Sequence, residues 1–140
     1  MGKRISVRGI IIVNNEVYTI YRRRIKRDGI TQEYYVIPGG GMENGENLQE
    51  TLKRELKEEL SIDVDVIGYL GSDENNDSIA HFFKCRILKG IPMLGGEELE
   101  RCSRENYYEV RKVDIHYLDS IDILAKDIIM KAYYNEFVKL

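Results

Sequence analysis

The chain has 140 residues, 43% hydrophobic and 32% charged, with two prolines and a net charge of −3. Such a length and composition fit one soluble globular domain, residues 1–140, large enough to bury a core, and exclude a disordered or fibrous chain. A balance so close to neutral argues against a nucleic-acid polymer as partner, because duplex binding draws on dense positive charge.

No stretch is long and apolar enough to span a bilayer, so no membrane partner is expected. The opening MGKRISVRG lacks the apolar segment of a secretory signal, which predicts a cytoplasmic protein. Gly2 followed by Ser6 matches a myristoylation signal only weakly. Cys85 and Cys102 form no CxxC pair and have no histidine at ligand spacing, so both read as reduced and non-metal.

Along the chain, Ile5 to Val13 is rich in β-branched residues. With the Asn14-Asn15 turn signal and the run Val17 to Tyr21, it predicts a hairpin. Its far end carries Arg22, Arg23, Arg24, Lys26 and Arg27, a basic cluster suited to a few phosphates. Tyr34 to Ile37 reads as a short strand stopped by Pro38-Gly39-Gly40-Gly41. Asn47 is placed to cap a helix in which Leu48, Leu52, Leu56 and Leu60 recur every four residues. Strands are predicted over Ile62 to Leu70, Ile79 to Leu88 and Tyr107 to Val113. Asp73 to Asp77 and Gly90 to Arg104 read as loops. Ser120 is the predicted N-cap of a closing helix bearing Ile121, Leu124, Ile128 and Ala132. Strands alternating with two helices give an α+β domain with a mixed sheet.

The central helix carries Glu55, Glu58 and Glu59 at i, i+3 and i+4, on one sector beside the leucine stripe. Unpaired, these carboxylates repel by a few tenths of a kcal/mol per pair, so a positive partner is expected. Oxygen-only donors suit Mg²⁺, with Mn²⁺ as a substitute, better than zinc. The loop Gly39–Gly41 lets bare backbone approach a metal or a phosphate. A charged amphipathic surface helix is the bland alternative for ETLKRELKEEL by itself. The fixed distances to Glu46 and to the glycines decide against it.

From Gly40 to Ile62 the segment resembles the Nudix box. Gly40, Glu46, Arg54, Glu55, Leu56, Glu58, Glu59 and Ile62 stand at family positions, while Ser61 replaces the final glycine. The resemblance implies an α/β/α sandwich and a hydrolase that splits a diphosphate linkage in a nucleotide. It further implies metal ligands Glu55, Glu58, Glu59 and the carbonyl of Gly39. Glu46 would hold Arg54, and Arg54 would orient Glu55. Glu55 and then Glu59 are the base candidates, with Glu97, Glu98, Glu105 and Glu109 as alternatives outside the box. Gly40, Gly41, Arg22 and Arg23 are the expected phosphate contacts.

Marks of the coenzyme A, ADP-ribose and dinucleoside polyphosphate enzymes are absent. Pro92 is the only later proline, and Ala80, His81 and Phe82 stand where a tyrosine is expected. A nucleoside triphosphate or related nucleotide is therefore the default substrate, and a non-catalytic nucleotide sensor of the same fold is the alternative. Oligomeric state is left open. Tyr34 and Tyr35 are expected to pack rather than stack on a base. His81 and His116 read as structural. Ser61, at a left-handed helix end, should affect stability rather than chemistry.

Overall fold

The computed structural model describes residues 2–140, except the side chains of Glu97 and Glu98. The first apolar run divides at Ile11 instead of forming one arm of a long hairpin. Strand β1 (Arg4–Ile10) has both edges occupied: β5 (Gly39–Gly41) lies antiparallel on one side and β7 (Ser78–Lys89) parallel on the other. With its backbone so committed, β1 cannot pair with the second run. Only β2 (Ile12–Val13) turns back, through Asn14 and Asn15 at φ 51° and 66°, to pair with β3 (Glu16–Ile25). Asparagine tolerates that left-handed turn, which matches the twist of a hairpin.

Two sheets result. The mixed sheet has the order β5-β1-β7-β6-β9, with β6 spanning Asp63–Glu74 and β9 Val138–Lys139. In the antiparallel sheet, β3 is flanked by β8 (Asn106–Asp114) on one edge and by β4 (Thr31–Val36) and β2 on the other.

Helix α1 (Leu48–Leu60) begins as predicted. The Asn47 side chain accepts from the Glu50 amide while the Glu50 carboxylate accepts from the Asn47 amide, a capping box that satisfies two orphan donors. Leu52, Leu56 and Leu60 are fully buried with Val7, Ile11, Ile20, Ile62 and Phe83 in the first core. Ser61 ends the helix at φ 61° and ψ 33°, the left-handed conformation expected of it, and its amide reaches the Lys57 carbonyl.

The segment after Gly90 is not all loop. The amides of Met93 and Gly95 donate to the carbonyls of Leu60 and Glu59, satisfying the open end of α1, and α2 (Gly96–Arg101) starts from that anchorage.

The second core includes Ile10, Val17, Ile37, Leu70, Phe82, Ile115, Leu118, Ile123, Ile129 and Ala132. It is covered by a 3-10 helix (Ile115–Ser120) and by α3 (Lys126–Tyr133). Ser120 is therefore the last residue of the 3-10 turn and not a cap. Helix α3 cannot begin there because residues 121–123 run along β4: the Tyr35 amide donates to the Asp122 carbonyl, and Tyr35 bridges Ile123. Ile123 is consequently buried while Leu124 is 78% exposed.

With α1 and α3 on opposite sides of the sheets, the architecture is the expected α/β/α sandwich of the α+β class. Among the described residues no helix is long and apolar enough to cross a membrane.

Candidate active site

The glycines predicted to stop a strand form one. In β5, Gly39, Gly40 and Gly41 face Arg8, Val7 and Ser6 of β1. Side chains are excluded on two sides. A Cβ on Gly39, at φ 152°, would fall 2.1 Å from the Val7 carbonyl oxygen, and one on Gly40 would fall 2.3 Å from the carboxyl carbon of Glu55. Glycine is thus required at residue 39, and at residue 40 its bare backbone leaves the space that the Glu55 carboxylate of α1 fills.

Arg54 organises that edge of α1. Its Nε donates to Glu46 Oε2 at 2.6 Å and its Nη2 to Glu46 Oε1 at 3.0 Å, a bidentate pair, and Nη2 also reaches the Gly41 carbonyl at 3.0 Å. Nη1 donates to Glu55 at 2.9 Å and to Glu58 at 3.4 Å. Glu46 accepts further bonds from the Glu43 amide and the Thr51 hydroxyl. Hydrogen bonds from Arg54, then from the Glu43 amide, hold the Glu46 carboxyl down from 4.5 to about 2. The same pairing raises the Arg54 guanidinium. Glu59, only 6% exposed, accepts from the Gly39 amide at 3.2 Å.

The positive partner expected for three adjacent glutamates is therefore Arg54 for two of them. Among the described residues, no three carboxylate, histidine or cysteine side chains converge as a ready-made metal cluster. The donor set still suits a hard divalent cation: only oxygens are offered, and Gly40 leaves just enough room for the Glu55 carboxylate.

These groups line a cavity of about 570 Å³, shared with Gly39–Gly41, Glu43, Arg4, Arg8, Arg22 and Arg101. Arg22 was legible in the sequence; Arg4, Arg8 and Arg101 were not. Arg4 and Arg8 lie four apart on β1, so strand alternation puts them on one face once that strand is placed beside β5. Nη1 of Arg8 donates to the Ile37 carbonyl at 2.8 Å. Burial lowers the Arg8 guanidinium and the charge of Glu59 opposes that shift.

Arg23 does not line this cavity. It points to the other face of β3, its guanidinium 4.9 Å from the Tyr107 ring centroid, whereas Arg22 lies over Tyr108 at 5.4 Å. Glu109 is likewise elsewhere, bound by Tyr107 and Arg111, whose guanidinium chiefly lowers its carboxyl. Glu105 does not line the cavity either, and the side chains of Glu97 and Glu98 lie outside the described residues. His81 bonds Tyr69 and His116 bonds Asp114, so both have structural partners.

A second cavity, of about 420 Å³, adjoins the first. Arg4 and Arg8 line both. It lies between β4, through Gln32 and Tyr34 to Val36, and the ends of β1, β6 and β7, with Asp122 and Leu124 at its exposed rim. Tyr35 also packs edge-on against Tyr21 with ring centroids 5.3 Å apart and accepts from Arg111, as expected of a packing residue.

A NUDIX domain model matches residues 2–126. The chain is 30% identical over 112 residues to the RNA pyrophosphohydrolase of Legionella pneumophila, an alignment covering 80% of this chain and 57% of that protein. It is 42% identical over 50 residues to the nucleoside triphosphatase NudI of an Enterobacter species, covering 36% of this chain and 35% of that one. These alignments therefore span between about a third and three fifths of the relatives' lengths. Among solved structures, the MutT NUDIX hydrolase of Burkholderia pseudomallei superposes with a TM-score of 0.71 at 17% identity, over 94% of this chain and 98% of that one, a likeness of fold. A family model spanning most of the chain, over the same α1 and β5 that build the carboxylate cavity, places the protein in the NUDIX domain family.

Proposed function

We propose that the chain is a pyrophosphohydrolase that splits a diphosphate linkage in a nucleotide, with Mg²⁺ as its cofactor and Mn²⁺ able to replace it. One observation carries this reading. Arg54 is clamped by Glu46 and touches both Glu55 and Glu58, so the carboxylates are aligned beside a strand in which Gly39 admits no side chain. Every carboxylate of the box is retained, which favours catalysis over a nucleotide sensor of the same fold.

Glu55, Glu58, Glu59 and the Gly39 carbonyl would hold the cation. When bound, it neutralises phosphate oxygens and makes water a better nucleophile. The chain does the rest. Arg4, Arg8 and Arg22 bind and orient the phosphates against the backbone of Gly40 and Gly41. Glu55 takes the proton of the attacking water as a new P–O bond forms and the bridging P–O bond breaks, yielding two phosphates. Arg54 holds the Glu55 carboxylate turned inward, a positioning role.

The reading is tested by incubating a panel of nucleoside triphosphates and diphosphate derivatives with Mg²⁺, for wild type and for Glu58→Gln and Glu59→Gln. Phosphate or pyrophosphate release by wild type that collapses in both variants is the expected result. Equal activity in all three would remove the carboxylates from the chemistry, and inactivity of wild type across the panel would favour the sensor.

A further inference from the structure

The second cavity is the candidate for what the phosphates are attached to. Its volume of about 420 Å³ falls within the range of small-ligand pockets. Arg4 and Arg8 border both cavities, so a molecule whose phosphates lie against the glycines extends past these two guanidiniums into the second space. Phe82, Val36 and Ile37 give that space apolar walls, as a flat ring requires.

Its polar groups carry the information. Asp73, near the end of β6, and Asp122, on the extended segment before α3, both border the cavity and are exposed. Neither carboxylate has a hydrogen-bond or ion-pair partner among the described residues, although the Asp122 backbone carbonyl is taken by Tyr35. An ionised carboxylate only accepts hydrogen bonds. It is satisfied by an exocyclic amino group and repelled by a ring carbonyl. Cytosine and adenine present an amino group where uracil and hypoxanthine present an oxygen.

Resting on the hydrolase reading above, we infer that the second cavity holds the nucleobase of the substrate, and that Asp73 and Asp122 select a base carrying an exocyclic amino group. The ring is the same size in each amino and oxo pair. Discrimination therefore reports polarity and not fit.

The test compares kcat/KM for CTP against UTP and for ATP against ITP, with Mg²⁺, in wild type, Asp73→Asn, Asp122→Asn and the double variant. A carboxamide can donate as well as accept, so the variants lose the penalty on the oxo bases. In wild type the amino nucleotide of each pair is expected to lead by about tenfold; deeply buried polar sites discriminate further, and this one is open to solvent. The double variant should bring each pair within about threefold, chiefly by raising the oxo member. Calorimetric binding of CMP and UMP without metal supplies a readout independent of turnover, and the same order is expected there.

Nucleotides cleaved with equal efficiency within both pairs would overturn the base assignment and leave the hydrolase standing. So would a preference that both aspartate substitutions leave unchanged in folded protein. Absence of turnover and binding for every nucleotide would overturn both readings.

Discussion

The two adjoining cavities are built in opposite ways. The charged one takes its carboxylates and three of its four glycines from one stretch, Gly39 to Glu59, in which a capped helix follows a glycine strand. The other draws on Arg4, Gln32, Asp73, Ser78 and Asp122, contributed by segments scattered along the chain. Chemistry in the first is carried by local spacing. Selectivity in the second is carried by tertiary placement, so two chains could share one and differ wholly in the other.

The largest effect should come from the carboxylate that α1 buries. Glu59→Gln keeps the bond from the Gly39 amide but removes a charge, and hydrolysis is expected to fall by about 10²- to 10³-fold or more, read as kcat at saturating Mg²⁺. If kcat holds, the contrast between a chemical and a selective cavity breaks.

Gly40→Ala comes next. The added methyl would fall 2.3 Å from the Glu55 carboxyl carbon, so that carboxylate must shift. Misplacement of about an ångström is worth on the order of 10²-fold in rate. The expected signature is a fall in kcat with little change in melting temperature.

Glu46→Gln weakens the bidentate clamp on Arg54 without touching substrate, and about a tenfold loss of kcat is expected if the clamp aligns Glu55. Its pH signature is separate. Because Arg54 holds the Glu46 carboxyl down at about 2 in the folded state, against an ordinary 4.5, the pair contributes stability that is complete above the unfolded value and disappears as pH falls through the folded one. Wild type should therefore lose stability between about pH 4.5 and 2 more steeply than Glu46→Gln, in urea unfolding followed across that window. Parallel acid limbs would refute the clamp as a stabilising pair.

The smallest effect is expected at Ser61→Gly. A serine held at φ 61° carries backbone strain of about 1–2 kcal/mol, which glycine relieves at some cost in unfolded-state entropy. A net stabilisation of about 0.5–1 kcal/mol with unchanged kcat is predicted from urea unfolding. A change in kcat would extend the chemical cavity to the helix end.

What could be read from the chain follows the same divide. Helix α1 was legible in its cap, its leucine stripe and its left-handed end, because each rests on neighbours within a few residues. Asn14-Asn15 was legible for the same reason. The partners of β1 were not: nothing local says that Ile5 to Ile10 will be flanked by β5 and β7, so the hairpin was overdrawn. Ser120 looks like a helix cap until Tyr35 claims the Asp122 carbonyl and holds the next residues extended. Arg23 shares a basic run with Arg22, yet strand alternation sends it to the Tyr107 side, and period-two spacing alone could not say which of the two would face the glycines. Arg4 and Arg8 were missed because their value depends on β5 and β4 arriving beside them.

The central claim is that Glu55, Glu58 and Glu59 form one cation site beside Arg54, which aligns Glu55. Titration of Mn²⁺ into wild type and into the Glu55→Gln, Glu58→Gln and Glu59→Gln variants, followed by the loss of free-ion paramagnetic resonance signal, tests it directly. Wild type should bind the ion and be competed by Mg²⁺, and each substitution should weaken binding by about tenfold or more, as loss of a charged oxygen ligand requires. Unchanged Mn²⁺ affinity in all three variants would contradict the account.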